Sequence, residues 1–95
     1  MSKQIVMYES EWCGFCRAAR HLIDKKGWAY ESRMVDGNGD LRRDMLEASG
    51  RTSVPQIFFG ERHIGGFDDL AELDADGELD AIYAETIASG DASNR

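Results

Sequence analysis

The sequence predicts an α/β protein with one mixed four-stranded sheet, built as βαβ followed by a β-hairpin, and with helices on both faces. Three observations predict it. Short apolar, β-prone runs alternate with segments of helical periodicity. A helix lies between the first two strands, which makes them parallel with a right-handed crossover. A two-residue turn, Gly60-Glu61, joins the last two strands, which makes them antiparallel. The length of 95 residues suits one domain. That domain is expected over residues 1–87, with residues 88–95, small and polar, as a flexible tail.

Residues 4–8 (QIVMY) are short and apolar and read as a buried first strand. Residues 9–12 follow as a polar loop that carries Glu9 and Glu11. From Cys13 the period becomes helical: Cys16, Ala19, Leu22 and Ile23 share one face, while Arg17, Arg20, Asp24 and Lys25 point away. Lys25 and Lys26 suit the last turn, and Gly27 is the stop. Residues 28–35 form a second strand before the breaker run 36–40. Leu41, Met45, Leu46 and Ala48 repeat at helical spacing up to Gly50. Residues 55–59 make the third strand, with Pro55 at its entrance, where a missing N–H is tolerated. Residues 62–64 make a brief fourth strand, ended by Gly65-Gly66. Asp68 or Asp69 is expected to cap the next helix. Leu70, Leu73, Leu79, Ile82, Tyr83 and Ile87 mark two short helical segments interrupted at Asp76-Gly77.

The composition, 42% hydrophobic and 31% charged with one proline, excludes disordered and collagen-like classes. The apolar runs are too short to span a bilayer, and the first residues lack the pattern of a secretory leader, so a cytoplasmic location is expected. The net charge of −7 is uneven: ten basic residues meet nine acids up to Gly65, and one meets nine from Gly66 on. The acidic C-terminal third argues against nucleic acid and anionic membranes as partners.

Cys13 and Cys16 are the two cysteines, in Trp12-Cys13-Gly14-Phe15-Cys16-Arg17. A structural disulfide closing so small a loop is a poor staple. A zinc site would need His21 and His63, which lack the spacing of a finger and read as surface or packing residues. A redox dithiol is the third reading, favoured beside a βαβ pattern. Exchange runs through a thiolate, and a helix N-terminus supplies both unpaired N–H groups and a favourable dipole. Cys13 falls at that position. Cys16, about one turn on, is within reach but deeper, so Cys13 is the attacking thiol and Cys16 the resolving one. Phe15 is either a flat wall beside the nucleophile or ordinary core packing.

Pro55 follows Ser53-Val54 at the head of a strand. A cis Val54–Pro55 bond would leave the Val54 N–H and C=O beside the sulfurs, able to pair with an extended peptide. In Gly65-Gly66-Phe67-Asp68-Asp69 the glycines let backbone approach a ligand, and the following helix N-terminus can receive a carboxylate. A plain turn and cap is the alternative.

With these motifs in this order, the chain resembles the glutaredoxins, most of all the short bacterial dithiol form, over residues 3–83. The resemblance implies a thioredoxin-like fold and a glutathione-dependent thiol–disulfide oxidoreductase. Its co-substrate would be glutathione, and its partners glutathionylated or disulfide-bonded proteins. It implies a cis Pro55 and pairing of Val54 with the cysteine residue of glutathione. The γ-glutamyl end would lie at Gly66, Phe67 and Asp68, Arg42 near the glycine carboxylate, and Phe15 and Ser53 beside the ligand. Three positions depart from the family pattern. Gly14-Phe15 replaces the common Pro-Tyr pair, Ser10 replaces the usual lysine, and Ser53 replaces threonine. The loss of the lysine implies looser glutathione binding. The Gly-Phe pair also occurs in single-cysteine relatives. It therefore implies an alternative: a [2Fe–2S] cluster held by Cys13 thiolates and two glutathiones in a dimer, the protein being otherwise monomeric.

Overall fold

A computed structural model describes residues 4–88 of the chain. The elements are β1 (Ile5–Glu9), α1 (Gly14–Lys25), β2 (Tyr30–Met34), α2 (Gly39–Ser49), β3 (Gln56–Phe59), β4 (Arg62–Gly65), α3 (Phe67–Ala75) and α4 (Leu79–Tyr83), followed by a π-helical turn, Ala84–Ala88. The sheet order is β2-β1-β3-β4. β1 pairs parallel with β2 and antiparallel with β3, and β3 pairs antiparallel with β4. The expected mixed sheet is therefore present. Of the expected tail, residues 89–95 lie outside the described residues. No helix among the described residues is long and apolar enough to cross a membrane.

Alternation along the strands divides the core into two layers. Ile5 and Met7 of β1 and Ile57 and Phe59 of β3 face α1, α3 and α4, where Ala19, Ile23, Leu70, Leu79 and Ile82 complete the larger cluster. Tyr8 and Phe58 point the other way, onto Val35 and Met45 of the smaller cluster beneath α2. Truncating a buried aromatic such as Phe59 to alanine would cost about 3–5 kcal/mol. Trp28 stacks on Tyr83 with ring centroids 4.0 Å apart, fastening the start of β2 to the C-terminal helical turns.

The ends of several elements differ from the sequence reading. β1 extends through Glu9, which belongs to the strand rather than to the loop. Glu9 is only 1% exposed, and its charge is paired with Arg20 and hydrogen-bonded by Ser32, partners that sequence polarity does not reveal. β2 is shorter than expected. α2 starts earlier, at Gly39, because the Asn38 side chain accepts from the Leu41 N–H at 3.0 Å and caps it. The N-cap of α3 is Gly66 rather than Asp68 or Asp69. Asp69, in the first turn, instead reaches back to accept from the Gly66 N–H at 3.0 Å, the half of a capping box that a side chain can make there.

Candidate active site

β1 and the loop after it deliver Cys13 to the start of α1. Cys13 is the N-cap, in extended conformation, and its Sγ accepts from the Cys16 N–H at 3.4 Å. The first turn of α1 contains no acidic residue to oppose an anion there. Across the site, the Cys13 Sγ–H donates to the Val54 carbonyl at 3.8 Å. Both cysteines are free thiols.

Cys16 differs. It has no exposed surface, and its Sγ accepts from the Ser10 N–H at 3.5 Å. Burial pushes its pKa up to about 12, against the pull of the Ser10 N–H. Ser10 is held in turn by Asp36, whose carboxylate accepts from the Ser10 hydroxyl at 2.7 Å and from the Glu11 N–H at 2.8 Å. These two bonds, the Glu11 N–H first, lower the Asp36 pKa.

The Val54–Pro55 peptide bond is cis, as the resemblance implied. The segment is braced from below by the buried Gln56, whose amide donates to the Ser53 carbonyl at 3.0 Å and whose Oε1 meets His63 Nε2 at 2.7 Å. His63 also stacks on Phe58, so it is a packing residue. Its pKa is lowered by burial and by the nearby Arg51. The Val54 N–H has no hydrogen bond among the described residues.

Beside this segment lies a groove of about 250 Å³. Ser53, Val54 and Pro55 form one wall, and Gly66, Phe67 and Asp68 the other. Phe15, 61% exposed, closes one side and stacks on Phe67 at 6.5 Å. It is therefore a wall of the site and not core. Gly65 has φ +121°, and a Cβ there would sit 2.2 Å from Asp69 Oδ2. Glycine at that position is what lets the Asp69 carboxylate reach the Gly66 N–H.

Arg42 is not among the groove residues. It lies on α2, beside a separate depression shared with Arg43, Met45, Leu46 and Thr52. The cation in the groove is Arg51, whose Nη1 is 3.3 Å from Asp69 Oδ2. The Gly66 N–H first, then Arg51, holds the Asp69 carboxyl below the usual carboxylate range. Sequence reasoning missed Arg51 as a groove residue and read Asp69 there as a candidate cap beside the glycine pair. The available signals were the adjacency of Arg51 to Thr52-Ser53 and the three-residue step from Gly66 to Asp69.

The arrangement presents one accessible sulfur at a helix N-terminus, a second buried sulfur one turn away, and free backbone groups along a small groove. Comparison with known proteins agrees with that chemistry. A family model described as glutaredoxin matches residues 5–64. Glutaredoxin 3 of Escherichia coli K12 is 45% identical over 78 residues, which is 82% of this chain and 94% of the relative. A glutaredoxin of Pseudomonas aeruginosa is 41% identical over 80 residues, 84% of this chain and 95% of the relative. The crystal structure of a buckwheat glutaredoxin–glutathione complex superposes with a TM-score of 0.80 at 30% identity, covering 90% of this chain and 82% of that one. On the family-model match over most of its length and on these identities across nearly the whole length of the relatives, this chain belongs to the glutaredoxin family.

Proposed function

We propose that the protein is a glutathione-dependent thiol–disulfide oxidoreductase in which Cys13 attacks and Cys16 resolves. Family membership supports a thiol redox role in general. The finer assignment rests on one observation: Cys13 Sγ stands at a helix N-terminus, 3.8 Å from the Val54 carbonyl at the edge of the groove, while Cys16 is buried.

In the single-thiol route, the Cys13 thiolate attacks the glutathione sulfur of a mixed disulfide. The partner protein leaves as its thiolate, and glutathione is now bonded to Cys13. A second glutathione thiolate attacks that glutathione sulfur, giving glutathione disulfide and freeing Cys13. In the dithiol route the Cys16 sulfur attacks Cys13 instead, forming the Cys13–Cys16 disulfide and releasing the attached thiol. Glutathione would lie extended along the groove, its cysteine residue pairing with the Val54 N–H and C=O as an added strand. The first free N–H groups of α3, at Phe67 and Asp68, would receive the γ-glutamyl carboxylate. Arg51 keeps donors beyond its single contact with Asp69 for a carboxylate of the ligand.

The test is reduction of a glutathionylated small disulfide by each serine variant. Cys13→Ser should lose at least about 10³-fold in rate, and Cys16→Ser should retain most of it. Activity in Cys13→Ser would end the proposal.

A [2Fe–2S] cluster needs four thiolate ligands. One chain offers Cys13 alone as an accessible sulfur, and no group of three or more metal-ligating side chains lies together among the described residues. A single chain therefore supplies one of the four, and a second chain's Cys13 with two glutathione thiolates would complete the set. Anaerobic reconstitution with iron, sulfide and glutathione tests this second reading: visible absorbance with a dimer on sizing would support it, and a colourless monomer throughout would remove it.

A further inference from the structure

Glu9 is a buried carboxylate that the exchange chemistry above leaves unused. It closes β1 and is 1% exposed. Its two oxygens are taken by Arg20 of α1 and by the Ser32 hydroxyl of β2, so one side chain ties three elements together. Its backbone carbonyl also accepts from the Val35 N–H at 2.9 Å. Arg20 is four residues beyond Cys16, one turn down α1, and turns inward to Glu9 where its polarity suggests an outward position. Tyr30 of β2 and Cys16 itself are titratable groups facing the pair; the Glu9 charge opposes ionisation of Cys16, and the Arg20 guanidinium beside it has the opposite sign. The residue after Glu9 is Ser10, whose N–H donates to Cys16 Sγ at 3.5 Å. Beyond it, Asp36 fixes the Ser10 hydroxyl and the Glu11 N–H. The strand end carrying that donor is therefore held from both sides, by Glu9–Arg20 below and by Asp36 above.

We infer that Glu9 and Arg20 are positioning residues for the resolving thiol: they hold the Ser10 N–H on Cys16 Sγ, and so favour closure of the Cys13–Cys16 disulfide without affecting attack by Cys13. A buried sulfur must become a thiolate to close, and a fixed N–H is what the site offers to that charge. A buried charge without its partner would be costly, which explains why acid and base occur together here. The inference rests on the assignment of Cys16 as the resolving thiol, part of the function proposed above.

The test separates closure from attack and needs no glutathione site. The Cys13 thiolate attacks the disulfide of Ellman's reagent, keeps one thionitrobenzoate as a mixed disulfide and releases the first coloured equivalent. The Cys16 thiol then gives its proton to solvent and attacks Cys13 Sγ. The bond to thionitrobenzoate breaks, and the coloured thiolate leaves as the Cys13–Cys16 disulfide forms. Wild type and Glu9→Leu/Arg20→Leu are compared, a pair of apolar replacements that strands no charge and keeps the net charge unchanged. Closure should slow about tenfold, the loss expected when a hydrogen bond to a charged group goes. Because Glu9 and Arg20 leave together, their opposing charges on Cys16 offset each other, and loosening of the Ser10 N–H should move the inflection of the pH profile to higher pH, while the loading step stays within about twofold. Asp36→Ala loosens the other anchor from an exposed position and should move closure in the same direction by less, which keeps the inference testable should the double variant not fold. An unchanged closure rate and inflection overturns it, and so does equal slowing of loading and closure, the mark of general disorder in the site. If Cys16→Ser releases the second equivalent of thionitrobenzoate at the wild-type rate, the resolving assignment itself fails, a separate result.

Discussion

At the mouth of α1, Cys13 is half-buried, caps the helix and faces both the Val54 carbonyl and the groove. One turn deeper, Cys16 lies in the protein interior with the Ser10 N–H as the hydrogen-bond donor to its sulfur. The two sulfurs are chemically identical and three residues apart, yet only one meets solvent. The difference teaches that a helix start sorts two thiols by depth. The first is served by unpaired N–H groups and the dipole, and the second must rely on what neighbouring strands bring to it. The mouth depends on glycine and carboxylate chemistry at α3, and the interior on the end of β1.

The largest effect should come from breaking the mouth. Gly65→Ala places a methyl group where Asp69 Oδ2 lies and strains a backbone at φ +121°. It should cost about 2–4 kcal/mol in denaturant unfolding, and weaken glutathione binding while leaving Cys16 as buried as before.

The interior shows itself at high pH. The thiol of Cys16 ordinarily titrates near 9.0, and in the folded protein is pushed up to about 12. A folded pKa above the unfolded one gives stability that is present below pH 9.0 and is lost as pH rises toward 12. Unfolding measured from pH 8 upward should therefore show wild type falling relative to Cys16→Ser, by at most about 1.4 kcal/mol per pH unit. Parallel curves would mean that the sulfur is not desolvated.

A smaller effect is expected at acid pH from the mouth. The lowered pKa of Asp69 gives stability that is present above the ordinary value of 3.8 and is lost as pH falls through the lower folded value. Asp69→Asn should be less stable than wild type by about 1 kcal/mol at neutral pH, with the gap closing below about pH 4. The smallest effect belongs to Ser10→Lys. It adds a cation near Cys13 but gives up the hydroxyl bond to Asp36. Alkylation of Cys13 should speed by no more than about threefold, the scale of an exposed charge pair.

The fold was legible because strand and helix periods alternate cleanly, and because glycine and proline mark the turns. The dithiol, the Ser53–Pro55 wall and the Gly66–Asp68 wall were legible because each depends on local sequence. What the sequence did not disclose depends on tertiary pairing. Glu9 looks like a loop residue until Arg20 and Ser32 are seen around it. Arg42 and Arg51 are equally basic in sequence, and only the path of the chain after α2 places Arg51 in the groove and Arg42 outside it. The N-cap position expected at Asp68 or Asp69 was two or three residues out, because Gly66 takes the N-cap and the Asp69 carboxylate reaches back from inside the helix.

The most direct test of the central claim is site-resolved alkylation of the reduced native protein at neutral pH, read by mass spectrometry of its peptides against time. The account predicts that iodoacetamide modifies Cys13 and leaves Cys16 untouched until denaturant is added. Modification of both at similar rates, or of Cys16 first, would contradict it.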